Sequence, residues 1–275
     1  MKKLKNVGVY TFLSIAAIVS IFPFLWMVVS MTNKSVDVTK GRLLPGSHLI
    51  ENLNVLFESV NMVTALVNST IIALITTFLT LLIGSLAGYG FEIYRTPGKD
   101  KVFNILLLSM MIPFAAIMIP LYRLFGRLSS TVPFLGIDTL AAVILPTVIT
   151  AFFIFLFRQN TKMFAKELVE AGRIDGLSEL GIFFRIYVPT MKTTYAAAAI
   201  IAFMNSWNNY LWPLVVLQSP EKQTIPLLIS NLGAGYTPDF GVIMTAIVIG
   251  TLPTAVVFFV MQKYFVEGMM GSVKG

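Results

Sequence analysis

Two short stretches of this 275-residue chain carry side chains whose types and spacing could do chemistry. The first, residues 161–189, holds Glu167, Glu170, Arg173, Asp175, Glu179 and Arg185, with Gly172, Gly176 and a terminal Pro189. It breaks two long apolar runs in a chain where 12% of residues are charged. The second, FMNSWNNYLWP at 203–213, sets Asn205, Ser206, Asn208 and Asn209 beside Trp207 and Trp212. Amides bond hydroxyls, and indole rings suit the apolar faces of sugars. A continuous helix would put Asn205, Asn208 and Asn209, at i, i+3 and i+4, on one face. Such amides either line a polar pathway or hold neighbouring helices together. No cysteine excludes a thiolate site, and His48 as the one histidine leaves zinc and haem without their usual ligand sets. No GxxxxGK[ST] phosphate loop is present. The acids lie outside the apolar runs, so a membrane enzyme would lack an internal acid–base pair.

The elements that position these residues are apolar. Hydrophobic residues make up 56% of the chain, and the mean hydropathy is +0.82. That composition marks an all-α integral membrane protein, read as one transmembrane domain over 1–275. Six segments reach the roughly 20 residues needed to cross a bilayer. They are 7–31, 64–90, 102–122, 139–157, 191–217 and 241–262, and Lys192 is their one charged residue. The first follows Lys2, Lys3 and Lys5 but is too long for a signal h-region, so it reads as an uncleaved anchor. With the N-terminus inside, Lys and Arg divide fourteen to six in favour of the inside segments. Both termini are therefore expected in the cytoplasm. The net charge of +7 is a topology signal and gives nucleic acid no role.

Pro23, Pro113, Pro120, Pro146, Pro213 and Pro253 are expected to kink the spans at packing contacts. Gly84 and Gly88 form a small-xxx-small face for close helix approach. Ion-driven carriers usually hold ionisable groups inside their spans, and none is central here. Uphill transport would then draw energy from another subunit. Sodium bound by backbone carbonyls keeps an ion-coupled secondary carrier as the alternative class.

The 160–189 loop falls in the cytoplasm under this topology. Met163, Phe164, Leu168, Ala171 and Ile174 have helical spacing over 161–174. Asp175-Gly176 ends that helix, Ser178 caps a second, and Pro189 bounds it. Leu180, Phe183, Phe184 and Tyr187 give the second piece an exposed apolar side. The hairpin is either a docking surface or an interfacial element on the membrane.

Glu170, Ala171, Asp175, Gly176, Ile186 and Pro189 match, in register, the E-A-A-x-x-D-G…I-x-x-P loop of bacterial ABC importer permeases. The chain resembles the MalG-like branch of the carbohydrate-uptake permeases over nearly its whole length. Asn68-Ser69, Ala87-Gly88-Tyr89, Met110 to Pro113, Trp207-Asn208 and the closing YFVEGMMGSVKG also fit. Gly172 replaces the family's second alanine, Ala165 its proline and Leu177 its following alanine. The resemblance implies a non-catalytic subunit that pairs with a second permease. Two ATPase subunits hold ATP and magnesium, an extracytoplasmic solute-binding protein delivers the sugar, and this chain binds no cofactor. It implies ATPase coupling through Glu170, Ala171, Gly172, Asp175, Gly176, Ile186 and Pro189. Asn205, Trp207, Asn208 and Asn209 would face the pathway. Asn231, Gly233, Gly235 and Tyr236 would probe the binding protein, or form an ordinary loop. The tail Gly271, Val273, Lys274 and Gly275 would reach the ATPases, or be a plain chain end. The bacterial cytoplasmic membrane is the implied location. A neutral oligosaccharide is the expected cargo, with a polyol, glycerol-phosphate or acidic sugar as the alternative.

Overall fold

Apolar runs of this length leave the backbone no partner but itself, and every regular element among the described residues is helical. The structure, a computed structural model, describes residues 2–271, with side chains over 7–263. Val273, Lys274 and Gly275 lie outside the described residues, and Gly271 is the last of them. In chain order the helices are α1 (Lys2–Ser30), α2 (Ser35–Thr39), α3 (Leu49–Ser59), α4 (Met62–Ile93), α5 (Pro97–Ser109) and α6 (Phe114–Thr131). There follow α7 (Leu140–Val148), α8 (Ala151–Thr161), α9 (Glu167–Ile174), α10 (Glu179–Ile182), α11 (Val188–Thr190) and α12 (Lys192–Trp207). The last are α13 (Leu211–Val216), α14 (Ile225–Gly233) and α15 (Phe240–Gly271).

Three expected spans are helices long and apolar enough to cross a bilayer: Val7–Ser30, Met62–Ile93 and Phe240–Lys263. The other three are interrupted, and Pro113, one of the prolines expected to kink a span, stands at the first break. The 102–122 segment divides into α5 and α6, bent by 98°. Pro113, extended at φ −66° and ψ 138°, has no N–H to continue α5 and stands at the N-cap of α6. The 139–157 segment divides into α7 and α8, bent by 41° where Ile149 and Thr150 turn extended. The 191–217 segment stops at Trp207 and resumes at Leu211. Its 16-residue α12 spans about 24 Å, short of a ~30 Å hydrocarbon core.

The chain forms two compact units. The first runs up to Val63 and includes Ile225–Leu252. Its buried Asn52 donates to the carbonyls of Met31 (2.8 Å) and Asn33 (3.0 Å). Asn33 in turn donates to Val29 and Leu44, both at 3.0 Å. The start of α15 joins this polar knot, since Phe240 N–H donates to Ser35 Oγ at 3.0 Å.

The second unit, Thr64–Thr224 and the chain from Pro253, contains the hairpin and the asparagine stretch. Gly84 and Gly88 let α4 meet α8 at backbone distance. A Cβ on Gly88 would stand 2.6 Å from Phe157 Cβ and 2.7 Å from Arg158 N. Trp212, fully buried, donates from Nε1 to Ala142 O at 2.8 Å and ties α13 to α7. Asn68 holds the carbonyls of Glu221 (2.9 Å) and Gln223 (3.0 Å) at the first end of α4.

Candidate functional site

The stretch 161–189 folds as a helical hairpin. The predicted first helix is shorter than 161–174: α8 ends at Thr161, residues 162–166 turn, and α9 begins at Glu167. The turn brings Phe164 inward, where it is buried, and leaves Met163 outside. Asp175 closes α9, and Gly176 takes φ +77°, a left-handed conformation that glycine adopts without strain. Ser178 accepts from Gly181 N at 3.2 Å and starts α10. A π-helical turn, Phe183–Tyr187, follows, with Val188 N–H reaching back to Phe183 O. Pro189 explains it: the ring lacks an N–H and crowds the carbonyl four residues back, and the wider turn absorbs that conflict. Pro189 thus lies within a nearly continuous helical path into α12, rather than at a clean boundary.

The apolar side of the second arm splits in two. Phe183 and Tyr187 are buried, correcting their reading as exposed aromatics. They pack on Tyr89 of α4 with ring centroids 5.4 and 4.8 Å away, and Phe164 meets Tyr187 at 5.3 Å. Tyr187 OH bonds Thr161 Oγ1 at 2.7 Å, and burial pushes its pKa up. Leu180 and Phe184 stay exposed, with Met163, Leu168 and Ile174. Glu170, Ala171, Asp175, Gly176 and Pro189 are exposed as well, and Ile186 is half-buried. Gly172 is buried against the second arm. A Cβ there would lie 3.0 Å from both Ile182 Cγ1 and Ile186 Cδ1, so the missing methyl is occupied space.

Tyr94, which the sequence did not single out, joins Arg173 and Glu179 in fastening the hairpin. Tyr94 OH donates to Glu179, and Arg173 Nε bonds the other carboxylate oxygen at 2.8 Å. Arg173 first, then Tyr94, hold the Glu179 pKa below the usual carboxylate range. Beneath lies an ion cluster in which Arg158 and Glu92 are buried. Arg158 on α8 bonds Glu92 on α4 at 3.4 Å, pairs with Asp100 on α5, and stacks 4.1 Å above the Phe103 ring. Lys166 approaches Glu92 at 3.7 Å, and Arg95 binds Asp100 at 2.9 Å. The available signal was position: Glu92 and Arg158 each stand just past an apolar run.

A second feature lies at the helix breaks. A cavity of about 300 Å³ is lined by Thr76 and Thr80 of α4, Phe114 after the first break, and Pro146, Thr147, Thr150, Phe152 and Phe153 around the second. Ala202, Asn205, Ser206 and Asn209 close it beside the third. None of these side chains is charged. The four residues expected to share a pathway separate here. Asn205 and Asn209 line the cavity. Asn208 caps α12, and its amide folds back on Met204 O at 2.9 Å. Trp207 is buried, stacked on Phe203 at 5.6 Å, and is not among the lining residues. The i, i+3, i+4 face assumed a helix that in fact ends at Trp207.

In the first unit, Asn231 and Gly233 close α14, and Gly235 and Tyr236 continue an exposed tip. The nine residues Ile225–Gly233 that lead into this tip are α-helical.

The family described as binding-protein-dependent transport system inner membrane component matches residues 80–271. The chain belongs to that family. It is 47% identical over 273 residues to the lactose transport system permease protein LacG of Rhizobium radiobacter, covering 99% of this chain and 98% of LacG. It is 39% identical over 209 residues to the arabinooligosaccharides transport system permease protein AraQ of Bacillus subtilis, covering 76% of this chain and 72% of AraQ. Its fold is that of a chain in the crystal structure of a bacterial ABC transporter involved in the import of the acidic polysaccharide alginate. The TM-score there is 0.83 at 21% identity, over 96% of this chain and 97% of that one.

As a permease of this family, the chain is multi-pass and apolar, and the family match takes in the hairpin, all three breaks and every cavity-lining residue except Thr76.

Proposed function

We propose that this chain is one of two permease subunits of an ATP-driven importer for a neutral oligosaccharide. The observation that carries the reading is the near full-length likeness to a lactose permease, joined to a cavity with no charged lining residue. A phosphate or uronate cargo would call for a fixed cation. The buried Arg158 is committed to Glu92 and Asp100. The cargo is therefore read as neutral.

In this reading the chain crosses the bacterial cytoplasmic membrane six times, with both bent pairs and the interrupted α12–α13 as single spans. Both termini and the hairpin face the cytoplasm, as the Lys and Arg distribution supports. The hairpin docks on a separate ATPase through Met163, Leu168, Ile174, Leu180 and Phe184, an exposed apolar surface rimmed by Glu170 and Asp175. Gly172 seats the two arms and Gly176 makes the turn. The tip at Asn231, Gly233, Gly235 and Tyr236 meets the solute-binding protein, and the tail at Gly271, Val273, Lys274 and Gly275 meets the ATPases. The chain itself binds no cofactor; ATP and magnesium sit on the two ATPase subunits. Docking couples the two because hydrolysis and loaded binding protein bias one pair of conformations.

Reconstitution with the partner permease, ATPase and binding protein encoded nearby tests this. Lactose with its binding protein should stimulate ATP hydrolysis and sugar uptake together. Uptake driven by an ion gradient without ATP would overturn the reading.

A further inference from the structure

The cavity has a property that neither a packing defect nor a bare passage requires. Three helix breaks meet at it, and each break leaves backbone groups without intrahelical partners. The amino ends of α6 and α8 arrive there at Phe114, Phe152 and Phe153, and offer N–H donors. The carboxyl ends of α7 and α12 arrive at Thr147, Asn205 and Ser206, where Ser206 O already accepts from Asn209 N–H at 3.3 Å and the Thr147 hydroxyl and Asn205 amide are the polar side chains. At the two amino ends, side-chain caps that would satisfy the backbone locally are missing. Pro113, at the N-cap of α6, has no side chain able to bond, and Thr150, at the N-cap of α8, makes no capping bond. In a membrane, non-helical backbone persists where protein buries it or where it lines a polar cavity.

Side chains supply the second observation. Thr80 spends its hydroxyl on Val148 O at 3.0 Å, so one end of α7 is satisfied. Thr76, one turn earlier on the same face, is 3% exposed and its Oγ1 has no partner. Thr150 Oγ1 is buried and equally unpartnered. A buried hydroxyl without a partner is costly, so two around one cavity point to a ligand that completes them. Sugar hydroxyls both donate and accept, which matches a wall of mixed N–H, hydroxyl and amide groups. Phe114, Phe152 and Phe153 give the ring's C–H edges an aromatic surface. The volume of about 300 Å³ suits a single sugar ring.

We infer that this cavity is a subsite for one neutral sugar ring of the transported oligosaccharide, with Thr76 and Thr150 hydrogen-bonding its hydroxyls. The inference rests on the importer reading above and adds a site within this subunit, on residues that the sequence did not single out.

The test uses the assembled importer in proteoliposomes, with lactose and arabinotriose as probes and Thr76→Val, Thr76→Ser, Thr150→Val and Thr150→Ser as variants. The readout is sugar moved per ATP hydrolysed. Removing a hydroxyl partner should lower that ratio about tenfold in the valine variants, with serine restoring most of it. Copurification of the ATPase with each variant shows assembly before the ratio is read. If Thr76→Val fails to assemble, the half-buried Thr150 carries the test. Wild-type ratios for both sugars in Thr76→Val and Thr150→Val would overturn the subsite while leaving the importer reading intact. If neither sugar stimulates the wild-type complex, the neutral-oligosaccharide reading falls and the subsite with it.

Discussion

The hairpin foot and the cavity are built on the same helix yet solve opposite problems. At the foot, Glu92, Arg158, Asp100, Glu179 and Arg173 all have charged partners, and the rings of Tyr89, Phe183 and Tyr187 fill the space between. At the cavity, sixteen residues earlier on α4, no lining side chain is charged and two buried hydroxyls wait for partners. A satisfied network favours one geometry, because breaking any pair strands another charge. An unsatisfied one keeps an option open, because a ligand can complete it. The difference separates a part that holds shape from a part that receives something.

Breaking the foot should have the largest effect. Arg158→Leu leaves Glu92 buried with only the largely exposed Lys166, and should cost about 3–5 kcal/mol in thermal or denaturant unfolding in detergent. Adding Glu92→Leu should recover much of that loss. Gly88→Ala comes next. Its methyl meets Phe157 and the Arg158 backbone, so unfolding stability should fall by about 1–3 kcal/mol as α4 and α8 are forced apart. Thr76→Val sharpens the contrast by going the other way. Removing an unpartnered buried hydroxyl should leave stability equal or raise it by about 1 kcal/mol, while transport falls. A drop in stability there would mean that the cavity is structural after all.

The smallest effect is on pH. Arg173, then Tyr94, depress the Glu179 pKa, so the stability from this contact is fully present above the ordinary carboxylate pKa of about 4.3. It fades as pH falls through the depressed value. Hairpin protection in hydrogen exchange should therefore be flat from neutral to mildly acidic pH and decline only in stronger acid. Glu179→Gln should remove that decline.

Local chemistry was legible before any coordinates. The Asp175-Gly176 turn and the Ser178 cap follow from backbone preferences at single residues, and the Gly84/Gly88 approach follows from missing side chains. What escaped depends on neighbours. Amphipathic spacing identified an apolar side on the second arm but not what covered it, so Phe183 and Tyr187 were read as exposed when Tyr89 lay against them. Hydropathy measures the length of an apolar run and is blind to its backbone: Pro113 marked the first break, but the extended residues at 149–150 and the interruption at 208–210 carried no such mark. Asn208 was misplaced for the same reason. Thr76 drew no notice because a threonine in an apolar helix usually bonds its own preceding turn.

One stripe of α4 joins these regions. Asn68, Ile72, Thr76, Thr80, Gly84, Gly88 and Glu92 recur every fourth residue, and all seven are buried. At one end the stripe holds the 221–223 turn, in the middle it touches the cavity, and at the other it grips Arg158. From Thr76 to Glu92 it measures about 24 Å. Backbone contact at Gly88 leaves α4 no room to slide along α8. One packed helix face therefore runs from the ion cluster at Arg158 to the cavity. Rigid backbone contact at its far end and interrupted helices at its middle put the fixed and the divided parts of this unit on a single stripe.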